Sequence, residues 1–170
     1  KTAYEIPKRD WSSDVCSSDL KVKRVVFSSG KVYFDLLKAR RASDQDDVAL
    51  VRLEQIYPFP AEEYVATLVR YPNANEIVWC QEEPQNQGAW YQIRHRLERP
   101  LEGKRTLLYA GRAPAAAPAT GIGKIHDAEQ SGLVKAALQS IAREGDTRVT
   151  RRLTEENIQP VRSAAGSGKH

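Results

Sequence analysis

Residues 76–97, EIVWCQEEPQNQGAWYQIRHRL, change character halfway along. The stretch opens as an apolar, β-branched and aromatic run of the kind a buried strand needs. Pro84 then stiffens a polar turn, Gly88 permits close backbone approach, and the residues from GAW onward read as a helix. Strand, turn and helix in that order form half of a βαβ unit, and the same alternation extends in both directions.

Upstream, KRVVFSSGK reads as a buried strand ending in a small-residue turn. In KVYFDLLKARRA, Val32, Leu36 and Ala39 recur near helical spacing with Tyr33 and Leu37 beside them. DDVALVRLEQI is the next strand, stopped by Pro58 and Pro60 before the helix AEEYVATLVRY, whose first turn carries Glu62 and Glu63 where carboxylates complement the helix dipole. Downstream, RTLLYAG reads as a fourth strand, followed by the Pro-punctuated RAPAAAPATGIG and a last helix from about His126 to Ala142. Strands alternating with helices at this spacing predict an α/β fold, a three-layer sandwich with a mostly parallel sheet covered on both faces.

Both ends of the chain stand apart. DWSSDVCSSDL, residues 10–20, shows neither helical nor strand periodicity. It can be encoded by a DNA string resembling one end of a common indexed sequencing adapter, and KTAYEI at residues 1–6 fits the other end in the same frame. Residues 1–20 are therefore expected to be a non-native, disordered segment, excluded from the fold. Residues 21–142 are the expected domain, and 143–170, ending in SAAGSGKH, a tail of uncertain origin.

Without residues 1–20 the chain holds 23 basic and 18 acidic side chains, and two of the five excess positive charges lie after Ala142. The remaining +3 on the domain is weak support for a nucleic-acid surface, and no nucleic-acid partner is expected. No apolar stretch is long enough to span a bilayer. Cys80 has no internal disulfide partner once Cys16 is set aside, which suits a reducing compartment.

Chemistry-bearing candidates lie where strands end, because ligands of open parallel sheets gather there. Ser29, Gly30 and Lys31 precede a helix whose free N–H groups could hold an anion. GIGK at residues 121–124 is not a phosphate loop, since Pro118 takes the place of the first Gly and Ile125 the place of Ser or Thr. Gln81, Glu82 and Glu83, with Asn86, Gln87 and the aromatic Trp90, suit a contact with another domain or a nucleotide pocket. Glu82 and Glu83 are poor paired catalysts, because neighbours leaving a strand point to opposite sides. His126 is read as a packing or interface residue; the three histidines lack metal-ligand spacing, so no metal site is expected.

Four blocks, RVVFSSGKVYFDLL, DVALVRLEQIYPFP, IVWCQEEPQNQGAWYQIRHRL and YAGRAPAAAPATGIGKIHDAEQ, together resemble the C-terminal domain of 2-oxoglutarate dehydrogenase, a transketolase C-terminal-like fold. The resemblance covers 21 to about 140 and implies a parent enzyme of the tricarboxylic acid cycle. That enzyme decarboxylates 2-oxoglutarate on thiamine diphosphate with Mg²⁺ and passes the succinyl group to a lipoyl-bearing succinyltransferase. The family's Gly-Asp-Gly cofactor motif does not occur in this chain, so the resemblance implies an inactive fragment that binds no cofactor and serves assembly. The implied partners are missing upstream domains and a homodimer mate, with no membrane involved; the implied location is the bacterial cytoplasm or the mitochondrial matrix. An acyl-coenzyme A effector site in relatives resembles this chain at Gln55, while Glu62 and Glu63 stand where its arginines would be. The alternative reading is a stand-alone nucleotide or acyl-coenzyme A effector module using Ser29, Gly30, Lys31 and Gln55.

Overall fold

The computed structural model describes residues 11–14, 19–117, 121 and 123–139. All of them fall in one compact unit, Lys1–Ser140; the tail expected from residue 143 lies outside the described residues. Their elements run β1 (Trp11–Asp14), β2 (Arg24–Ser28), α1 (Val32–Ala42), β3 (Val48–Leu53), α2 (Ala61–Arg70), β4 (Glu76–Pro84), α3 (Trp90–Glu98), a 3₁₀ turn (Arg99–Leu101), β5 (Thr106–Arg112) and α4 (Gly123–Leu138). The sheet order is β1-β3-β2-β4-β5, with β2 to β5 parallel as the alternation of elements requires.

Two differences from the sequence reading have physical causes. Residues 1–20 were expected to stay unfolded, yet Trp11 to Asp14 pair antiparallel with β3, Trp11 opposite Leu53 and Asp14 opposite Leu50. β3 is the outermost parallel strand, so its outward N–H and C=O groups accept a passing backbone without any hydrophobic pattern in the segment that supplies it. Residues 1–10 and 15–18 lie outside the described residues. The last helix starts at Gly123 rather than near His126, and its last described residue is Leu138.

Strand alternation divides the interior between two faces. Val25, Phe27, Val51, Leu53, Ile77 and Trp79 point to α2 and α3, where they bury against Tyr64, Leu68, Trp90, Ile93 and Leu97. Aromatic rings dominate there: Phe27 lies 5.0 Å from Tyr64 and Trp90 lies 5.0 Å from Tyr109. The Tyr64 hydroxyl donates to the Leu97 carbonyl at 2.9 Å, tying α2 to α3. The intervening strand residues face α1 and α4, which pack against each other and against β3, β4 and β5.

Candidate functional site

The connections reverse at β2: α1 leads to β3 on one side, and α2 carries the chain back past β2 to β4 on the other. Such a reversal opens a crevice at the carboxyl ends of the flanking strands. The loops after β2, β3, β4 and β5 all emerge at that end, and they carry most of the candidate residues.

After β4 the chain is organised by Gln81, which is only 3 % exposed. Its Oε1 accepts from Trp79 Nε1 at 2.9 Å and from the Trp90 backbone N–H at 3.0 Å. Its Nε2 donates to the carbonyls of Glu83, Pro84 and Gln87 at 3.2, 3.2 and 2.8 Å. All of its polar capacity is used, so this side chain stitches the strand end to the start of α3. Gly88 passes over it with φ +65, and a Cβ there would lie 2.9 Å from Gln81 Nε2. Glycine is thus required both by the left-handed backbone and by the close approach.

The proposed contact residues divide accordingly. Gln81 and Trp90 are buried, Trp90 against Tyr109, and offer no surface to a partner; a polar or aromatic residue at a strand end reads the same in sequence whether it turns inward or outward. Asn86 and Gln87 hold the chain after β5: Asn86 Nδ2 donates to the Ala115 carbonyl at 3.0 Å, Asn86 Oδ1 accepts from the Ala115 N–H at 3.0 Å, and Gln87 Nε2 donates to the same carbonyl at 3.1 Å. Glu82 and Glu83 do diverge. Glu82 turns toward α1 and α4, and Glu83 lies beside Gly88.

The proposed anion loop meets a carboxylate of its own chain. Gly30, at φ +74, donates its N–H to Glu54 Oε1 at 3.2 Å, and Glu54 also pairs with Arg52 at 2.6 Å. A negative group already at the N-terminal end of α1 opposes a phosphate there. The exposed Lys31 ammonium turns to Glu82 at 3.5 Å, and Gln55 Nε2 donates to the Pro58 carbonyl at 2.8 Å, closing the turn after β3. Ser29 is half-buried beside them. Gly30, Lys31 and Gln55 thus each meet a different partner within the domain.

Across the crevice a polar network fastens α4. Gln130 Nε2 donates to Glu82 Oε1 and to Asp35 Oδ2, both at 2.9 Å. Arg112, at the end of β5, reaches Glu129 at 3.3 Å and donates to His126 Nδ1 at 2.9 Å and to Gln130 Oε1 at 3.4 Å. This contact ties His126, on α4, to the end of β5. Sequence reading missed Arg52, Glu54, Arg112 and Gln130. Only the charged ends of β3 and β5, each closing an apolar run, could have pointed to the first three.

Cys80, buried beside these groups, is pushed up to about 12, first by desolvation and then by the Glu82 charge. A thiol so held is inert as a nucleophile at neutral pH. Among the described residues no group of three or more His, Cys, Asp or Glu is arranged to hold a metal ion. No helix among them is long and apolar enough to cross a membrane.

A mostly parallel sheet wrapped by helices on both faces, with many of its strand-end polar groups bonded to one another, defines a three-layer α/β domain. The chain belongs to the 2-oxoglutarate dehydrogenase C-terminal family, whose model matches residues 6–138. It is 48 % identical over 121 residues to a protein of Cupriavidus necator named 2-oxoglutarate dehydrogenase E1 component, a match covering 71 % of this chain and 13 % of the relative. A protein of that name from Haemophilus influenzae is 51 % identical over 117 residues, covering 69 % of this chain and 12 % of the relative. One from Coxiella burnetii is 48 % identical over 121 residues, covering 70 % and 13 %. The chain thus spans about an eighth of the length of these relatives.

Proposed function

We propose that this chain is the C-terminal assembly domain of a 2-oxoglutarate dehydrogenase decarboxylating component and carries no catalytic step itself. One observation supports this above the others: four carboxylates around the carboxyl ends of the strands are committed inside the domain. Glu54 bonds Arg52 and Gly30, Glu82 bonds Lys31 and Gln130, Asp35 bonds Gln130, and Glu129 bonds Arg112. Thiamine diphosphate with Mg²⁺ needs several oxygen donors free to meet the ion, and these four carboxylates do not fit it, which leaves the exposed Glu83 at the end of β4. In this reading the cofactor and the 2-oxoglutarate-recognising groups belong to upstream domains of the parent. The succinyl group passes to a lipoyl-bearing succinyltransferase, and the domain's loops contact the upstream domains and the homodimer mate. Residues 1–20 are read as adapter-derived.

The test begins at the source DNA, sequenced upstream through the codon for Leu20. The expected frame leaves the adapter string and enters a Gly-Asp-Gly cofactor motif. Decarboxylation of 2-oxoglutarate, followed with an artificial electron acceptor in the presence of thiamine diphosphate and Mg²⁺, is then expected from the complete chain and absent from the 170-residue chain. Turnover by the short chain alone, or a start codon adjoining Lys21, would overturn the proposal.

A further inference from the structure

Two kinds of contact hold α4, and they divide it near its middle. From Leu133 onward the helix is anchored: Leu133, Val134, Ala137 and Leu138 are buried, Arg24 donates to the carbonyls of Ala136 and Ala137 at 3.2 and 2.8 Å, and Gln45 Nε2 donates to the Leu138 carbonyl at 3.4 Å. Residues 123–132 include no buried side chain, and the one large apolar group among them, Ile125, is 45 % exposed. Only His126, Glu129 and Gln130 are half-buried there, and these three make the polar contacts: His126 and Glu129 with Arg112, Gln130 with Asp35, Glu82 and Arg112.

The two halves meet at Ser131 and Gly132. A Cβ on Gly132 would meet nothing within 4 Å, and the backbone there is helical, so neither a close approach nor a left-handed φ calls for glycine. What glycine does at this point is make the helix easier to leave. Apolar burial is lost outright when a helix lifts, whereas polar side chains exchange a protein partner for water at small net cost. The first half is therefore the part that parts from the sheet more readily.

We propose that residues 123–131 form a strap that lifts from the strand ends and returns as a unit, turning at Ser131–Gly132 while the second half of α4 stays docked. Lifting removes His126, Glu129 and Gln130 from Arg112, which is only 8 % exposed with the strap down. It also takes Gln130 from Asp35 and Glu82. The closed strap thus covers a guanidinium at the end of the sheet where ligands of parallel sheets gather, and the open strap presents it.

Amide exchange followed residue by residue by NMR on the 170-residue chain tests this, with α3 as the reference for a folded domain. The amides of Asp127 to Ser131, whose helical acceptors lie within the first half, are expected to exchange about tenfold or more faster than those of Ala136 to Leu138. Leu138→Ala is expected to speed exchange at Ala136 and Ala137 about tenfold or more and to leave Asp127 to Ser131 unchanged, because the strap opens with the second half still in place. Gln130→Ala should speed the first half about tenfold, and Gly132→Ala should slow it about fivefold. Equal exchange along the unaltered helix, or acceleration of both halves by Leu138→Ala, would overturn the proposal. A first half indifferent to Gln130→Ala would also overturn it, leaving simple fraying of a helix end, and one indifferent to Gly132→Ala would overturn the hinge. If Leu138→Ala loses the protection of α3, the unaltered chain and Gln130→Ala decide between these outcomes.

Discussion

The two faces of the sheet are held by different physics. Toward α2 and α3 the contact is apolar and aromatic, with Trp79, Tyr64, Phe27 and Leu97 fully buried. Toward α1 and α4 three buried arginines take part. Arg24 pairs with Glu76 at 2.7 Å and donates to the carbonyls of Ala136 and Ala137, Arg40 donates to the Val48 carbonyl, and Arg112 engages His126 and Glu129. Hydrophobic contact is tolerant of direction, whereas hydrogen bonds to a helix's last carbonyls fix its position and use acceptors the helix cannot satisfy itself. The first face supplies most of the cohesion; the second sets where the late helix α4 lies, and so where His126 and Gln130 meet the strand ends.

Truncation on the aromatic face should produce the largest effect. Trp79→Ala is expected to cost about 3–5 kcal/mol in a urea melt, because its ring is fully enclosed and the hole cannot collapse. A loss below about 1 kcal/mol would erase the distinction between the faces. Arg24→Met keeps the volume and removes the donors that Glu76 and two α4 carbonyls use. About 2 kcal/mol is expected, with faster amide exchange in α4 than in α3. Equal exchange in both helices would mean that α4 does not depend on the arginine.

Alkaline titration affects both faces but leaves neutral pH untouched. Cys80 titrates at about 12 when folded against a usual 9.0, chiefly because it is desolvated. Tyr64 and Tyr109 are likewise raised above their usual 10.0, first by burial. For each group the folded state holds its proton where the unfolded state has lost it. The stabilisation is therefore complete below about pH 9 and lost as pH rises through the folded values. Cys80→Ala should flatten the first part of that decline; an unchanged pH profile would remove the thiol from the account.

Much of this was legible before any coordinates. The apolar runs placed β2 to β5, and the periodic stretches placed α1 to α3 close to their observed limits, because burying a strand on two faces or a helix on one leaves a period in the sequence. The divergence of Glu82 and Glu83 followed from strand geometry alone. β1 was illegible because backbone pairing at a sheet edge needs no side-chain pattern. The inward turn of Gln81 was hidden for a related reason: its partners are mostly backbone groups, and sequence does not name the carbonyls that a buried amide will find.

What the amino-acid sequence determined by itself is the layout: alternating elements, a parallel sheet, helices on both sides, and the polar and aromatic residues at the strand ends. Tertiary structure alone decided which of those residues face inward, which carboxylates are paired, and which aromatics remain outside. Burial pattern is a property of each segment and is written along the chain. A hydrogen bond such as Gln130 to Asp35, or the Arg52 cation over Phe34, joins residues that only the folded sheet brings within reach.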